Sequence, residues 1–147
     1  MISNVFYIKV IRNERVLERV KKMSSERKVV EKSKKLINSF KYAIQGILSS
    51  FKTERNMKIH IFVMILVIIA GILLKINKYE WIICVLCFAM VIGGELLNTA
   101  IETVVDIAMP YKNEKAKNAK DVSAGAVLVF TIGAAICGLI IFVPKIF

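Results

Sequence analysis

At 147 residues the chain has room for one domain, yet 56% of it is hydrophobic and its net charge is +11. That pairing, with a mean hydropathy of +0.61, excludes an ordinary soluble domain and fits apolar spans in lipid with basic segments at an anionic surface. Nucleic-acid binding would suit the basic pI but leaves the apolar runs unexplained, so no nucleic-acid partner is expected.

Residues 1–32 are mixed in charge and weakly periodic. They lack the apolar centre and small-residue cleavage site of a secretory signal, so insertion falls to internal spans. They read as a basic N-terminal arm, helical or loosely ordered, with a break at Ser24-Ser25. Met23 is a candidate natural start, which would make residues 1–22 dispensable. From residue 33 to 147 the chain reads as one membrane domain. Residues 33–56 place Leu36, Ile37, Phe40, Ala43, Ile44, Ile47, Leu48 and Phe51 at three- and four-residue spacing, with lysines between. That pattern predicts an amphipathic helix on the inner membrane surface.

Three spans follow, over about 57–75, 80–108 and 120–144. Lys58 and Lys75 bracket the first, whose uncharged stretch is short enough to need snorkelling lysines or local thinning. The only histidine, His60, lies at its inner boundary and reads as interfacial packing or a hydrogen bond. WIICVLCFAMVIGG opens the second span at Trp81, and the third offers Val122 to Pro144 without a charge. Cys84, Cys87 and Cys137 sit in apolar runs and read as small buried hydrophobes, since the CxxC has no second pair or histidine nearby in sequence. Met57, Met64 and Met90 read as span filler, and Gly93-Gly94 as a place where a helix or substrate comes close. The fold class is therefore an all-α integral membrane protein, three transmembrane helices behind an amphipathic surface helix.

Of 22 lysines and arginines, 15 fall in residues 1–58 and four in 110–121, against two in the loop 75–80 and Lys145 alone after the third span. The positive-inside tendency puts the N-terminus and the 110–121 loop in the cytoplasm and the C-terminus outside the plasma membrane. Tyr79 and Trp81 then become aromatic anchors at the outer interface.

The second span ends as GGELLNTAIETVVDIAMP, which is apolar enough to be buried yet carries Glu95, Asn98, Glu102 and Asp106. At about 100° per residue these four lie in a single stripe less than about 90° wide. Counting from Trp81, Glu95 is about 21 Å into the bilayer, Glu102 is near its inner boundary and Asp106 is in the cytosolic zone. An intramembrane acid costs a few kcal/mol, which makes it a functional candidate, although a polar seam between packed helices is the plainer alternative. A deep carboxylate suits a general base, and a shallower one suits Mg²⁺, which takes one or two carboxylates plus substrate phosphates. Glu54, just before the first span, could supply a second carboxylate, and lysines 112, 115, 117 and 120 could neutralise phosphates. The sum describes phosphoryl transfer to a membrane alcohol, without a Walker loop or a kinase-type catalytic loop.

ELLNTAIETVVD followed by AKDVSAGAVLV closely resembles the integral-membrane prokaryotic diacylglycerol kinase and undecaprenol kinase family over about residues 35–145. The family motif E-x-L-N-[ST]-A-[IV]-E-x-x-x-D runs unbroken from Glu95 to Asp106, and SFKYAxxG with ExNxxIH fits its Gram-positive branch. The resemblance implies a homotrimer with active sites shared between subunits and Mg-ATP as phosphate donor. It implies Glu95 as catalytic base, Asn98 as its support, and Glu54 and Glu102 as magnesium ligands. Lys120 and Asp121 would bind nucleotide from the start of the third helix, Tyr111, Lys112 and Asn113 would line it, and Tyr42 and Lys35 would meet ATP from the surface helix. Lys35 stands where some relatives have arginine. Undecaprenol is the expected acceptor, with diacylglycerol as the alternative. A small oligomeric cation channel or transporter subunit and a non-enzymatic membrane scaffold are the readings from other classes.

Overall fold

A computed structural model describes the backbone of residues 2–147 and the side chains of residues 18, 19, 21–23 and 25–147. Four helices run in chain order: α1 Ile2–Thr53, α2 Arg55–Leu73, α3 Lys78–Ala108 and α4 Glu114–Ile146. No strand occurs among the described residues. The last three helices are long and apolar enough to cross a membrane, as expected. The 19 residues of α2 make a rod of about 28 Å, barely one hydrocarbon thickness. With 31 and 33 residues, α3 and α4 extend well beyond it.

The chain divides into two units, Met1–Gly46 and Ile47–Phe147. The first is all α1. Here the expected break at Ser24-Ser25 does not occur, and the arm and the surface segment form one helix. Before Gly46 the sequence has no glycine or proline, and two serines cost a helix too little to end it. Leu36, Ile37, Phe40 and Ile44 are all exposed along α1, as an amphipathic surface helix requires.

The second unit starts in the last turns of α1. That helix stops at Thr53, three residues before the expected boundary at 56, because Glu54 turns extended (φ −89, ψ 125) and becomes the N-cap of α2. After α2 the chain reverses through a Schellman turn. Ile76 N–H donates to Gly71 C=O (3.1 Å) and Lys75 N–H to Ile72 C=O (3.3 Å), with Lys75 left-handed at φ 50. Gly71 is required there, since a Cβ would meet Trp81 Cη2 at 2.9 Å and Ile76 Cδ1 at 3.0 Å. Trp81 packs on this turn and joins Ile76, Cys84 and Ile141 in an apolar cluster with Val67, Phe88 and Phe142. Tyr79 stays exposed.

Asn77 caps α3, accepting from Tyr79 N–H (2.9 Å) and Glu80 N–H (3.1 Å), while Glu80 accepts from Asn77 N–H (2.6 Å) to close a capping box. Glu80 also meets Lys145 at 3.1 Å, clasping the last turn of α4 to the first of α3. Asn113 caps α4 in the same way, accepting from Lys115 N–H (2.9 Å) and Ala116 N–H (3.1 Å). The third span's helix therefore begins at Glu114 rather than 120. The side-chain cap satisfies the backbone donors of Lys115 and Ala116, ahead of the apolar run that begins at Val122.

The main helix pair is α3 with α4, and α2 touches α3 more sparsely. Gly94 brings the pair together, because a Cβ there would meet Phe130 Cδ2 at 2.8 Å, whereas one on Gly93 would meet nothing within 4 Å. Close approach thus belongs to one of the two glycines. Gly94→Leu is expected to destabilise the protein by about 1–3 kcal/mol through overpacking, read as a lower melting temperature in detergent, with Gly93→Ala as the neutral control.

Candidate active site

The polar stripe of α3 faces its neighbours. Glu95 and Asn98 are buried, with 2% and 8% of their surface exposed. From α2, His60 Nε2 stands 3.1 Å from Glu95 Oε1. An ionised carboxylate can only accept, so in that state the Nε2–H of His60 is the donor. No protein group bonds Glu95 Oε2 among the described residues. Behind the carboxylate, Thr99 Oγ1 donates to Glu95 C=O (2.9 Å), which leaves Ser50 to donate to Thr99 across 3.2 Å.

Asn98 is fixed from both sides of its amide. Its Nδ2 donates to Glu102 Oε1 (3.0 Å), and its Oδ1 accepts from Ser123 Oγ on α4 (2.6 Å). Ser123 also lies 2.8 Å from Lys120 C=O, and its single proton serves one of these acceptors at a time. At the far end of the stripe Lys120 Nζ donates to both Asp106 oxygens (2.9 and 3.1 Å). Asn98 and Asp106 therefore do form a seam between α3 and α4, as the plainer reading has it. Glu95 and Glu102 differ, because each keeps an oxygen without a protein partner among the described residues.

Glu54 is half-buried at the α1–α2 break and accepts from Thr53 Oγ1 at 3.2 Å. The Ser50–Thr99 bond holds this break against α3. Ser50 is four residues before Glu54 and Thr99 three before Glu102, so both acids lie near one end of the bundle, with no hydrogen bond between them. Among the described residues no three His, Cys, Asp or Glu side chains gather as a metal cluster. Two hard oxygen donors with spare capacity still suit Mg²⁺, which completes its shell with water and phosphate.

The expected nucleotide contacts are scattered. Lys120 is ion-paired with Asp106 and lies in the second turn of α4, with Asp121 exposed beside it. The Asn113 side chain is occupied in capping α4. Tyr111 and Lys112 are exposed in the loop before it. In the first unit Lys35 pairs with Glu31 at 3.2 Å, and Tyr42 is exposed. Sequence reasoning gave no site role to His60, Ser50, Thr99 or Ser123. For His60 the signal was present: it is the one imidazole of the chain, near the N-terminal end of the first span.

An apolar cavity of about 190 Å³ opens from His60 between α2, α3 and α4, lined among others by Met64, Cys84, Phe88, Cys137 and Ile141. All three cysteines are free and buried or half-buried, as expected of small hydrophobes.

The prokaryotic diacylglycerol kinase family model matches residues 41–142. Undecaprenol kinase of Bacillus subtilis is 41% identical over 112 residues, which cover 76% of this chain and 91% of that protein. A diacylglycerol kinase of Synechocystis is also 41% identical over 112 residues, covering 76% of this chain but 64%, less than two thirds, of its own length. A diacylglycerol kinase of Haemophilus influenzae is 36% identical over 94 residues, covering 64% of this chain and 80% of that protein.

Proposed function

We propose that this chain, which belongs to the prokaryotic diacylglycerol kinase family and is a multi-pass membrane lipid kinase using ATP, phosphorylates undecaprenol with Glu95 as base. One observation carries the choice of base: Glu95 is buried, one oxygen is held by His60 and the other has no protein partner among the described residues. Family membership displaces the channel and scaffold readings.

In the proposed step Glu95 takes the proton of the lipid hydroxyl as that oxygen attacks the γ-phosphorus of ATP. The bond from that phosphorus to the β–γ bridging oxygen breaks, leaving ADP and the lipid phosphate. Asn98, locked by Ser123, orients Glu102. Glu54 and Glu102 would hold Mg²⁺, which when bound neutralises charge on the phosphates. Tyr42, Lys35, Tyr111 and Lys112 are left to the nucleotide. Asn113 and Lys120 shape the inner end of α4 through its cap and its Asp106 pair, and in this reading meet ATP only by exchanging those partners. The apolar cavity at His60 suits the hydrocarbon next to an acceptor hydroxyl.

Lysine placement supports a cytoplasmic N-terminus and 110–121 loop, where ATP is found, with the C-terminus outside. The family pattern supports a homo-oligomer, a trimer; the exposed apolar surface of α2, α3 and α4 in one subunit suits lipid and a neighbouring subunit equally. Undecaprenol is preferred over diacylglycerol because the match to the undecaprenol kinase spans nearly all of that relative. The test is transfer of labelled phosphate from ATP to a panel of lipid alcohols in detergent micelles. Undecaprenol should be labelled fastest. Faster labelling of diacylglycerol would reassign the acceptor, and label on neither would sink the kinase mechanism.

A further inference from the structure

The bond between His60 and Glu95 is the only side-chain hydrogen bond joining α2 to α3 among the described residues. It falls on the proposed base rather than elsewhere along two long helices. Glu95 has just 3% of its side chain exposed and His60 has 18%, so little water competes for the contact. A glutamate side chain has three rotatable bonds, and a carboxylate without a partner would sample several rotamers. Held at Oε1, the group keeps Oε2 as its one unpartnered basic oxygen. His60 also lines the cavity, so a hydroxyl arriving from the hydrocarbon reaches the imidazole that holds the base.

We propose that His60 is a positioning residue for this reaction: it donates from Nε2 to Glu95 Oε1 and aims Oε2 at the acceptor hydroxyl. The inference rests on Glu95 being the base of the proposed mechanism. It separates His60 from a helix tie. A tie would be replaceable by apolar packing, whereas an aiming contact needs a donor at that point. Displacing a reacting group by about 1 Å costs up to about 10²-fold in rate.

Two measurements test it on the full chain. In the first, His60→Leu is expected to lower kcat roughly 10- to 100-fold, with KM for ATP and lipid alcohol changed less than about threefold. His60→Gln, whose amide nitrogen reaches about as far as Nε2, should return kcat to within roughly threefold of the unmodified protein. The second uses the single histidine of the chain. In ¹⁵N-histidine-labelled protein one imidazole is observed, and its resonances should move on Glu95→Gln and stay in place on Glu102→Gln.

Should His60→Leu keep kcat within about twofold, or His60→Gln fall as far as His60→Leu, the positioning role is wrong. Imidazole resonances unmoved by Glu95→Gln would overturn the contact itself, even if the leucine variant fails to fold. The spectroscopic arm needs no turnover, which separates the two ideas. An unmodified protein that labels no lipid alcohol ends the kinase mechanism, and with it the purpose of the contact. An active protein indifferent to His60 ends this inference alone.

Discussion

Glu95→Gln is expected to fold, insert and bind both substrates, yet lose phosphoryl transfer by about 10²- to 10⁴-fold, the usual range for a general base. The substitution preserves shape. A glutamine carbonyl at the Oε1 position still accepts from His60, and the backbone carbonyl of residue 95 still accepts from Thr99. The packing of Gly94 on Phe130 is untouched. What disappears is an oxygen able to take a proton. The loss should therefore appear in kcat, with KM for ATP and lipid near their original values. Near-normal turnover in a folded variant would remove Glu95 from the mechanism and leave the His60 contact as a helix tie.

The second large effect is expected at the two shallower carboxylates. Glu54 and Glu102 come from different elements, the α1–α2 break and the C-terminal half of α3. Each has an oxygen to spare. If both serve one magnesium ion on ATP, Glu54→Gln and Glu102→Gln should each raise the magnesium concentration for half-maximal activity by at least about 10-fold. KM for the lipid alcohol should change little. Magnesium-dependent nucleotide binding, measured without lipid, should weaken in parallel. An unchanged magnesium dependence in both variants would discard the shared metal. Mixing adds a further readout: inactive Glu95→Gln and Glu54→Ala subunits should restore part of the activity when co-assembled if sites are shared. Failure to complement in verified mixed oligomers would put both acids in one subunit.

Several features were legible in the sequence because they depend on local regularity. Three apolar runs give three long helices whatever they pack against, since a backbone in lipid has to bond to itself. The stripe of Glu95, Asn98, Glu102 and Asp106 follows from helical repeat alone. The α4 cap was legible too, as Asn113 before the acidic Glu114, but the apolar run drew the predicted boundary to 120 instead. The continuous α1 was readable in its lack of glycine and proline before Gly46. Two adjacent serines were given too much weight as a break.

Partners across helices were another matter. His60 and Glu95 are 35 residues apart, and Ser123 is 25 from Asn98. Nothing in the spacing of either segment encodes those pairs. They depend on how far each helix rotates and slides against the next. Here that register is set by particular contacts: Gly94 admitting the Phe130 ring, Gly71 beneath Trp81, and Lys145 closing on Glu80. Helical periodicity determined that a polar face exists on α3, because side-chain direction follows from backbone geometry. Which acid would be held by an imidazole, which amide by a serine and which aspartate by a lysine was decided only when the helices packed. A hydrogen bond needs its atoms within about 3 Å, and one residue of slip along a helix moves a side chain by about 1.5 Å and turns it by about 100°.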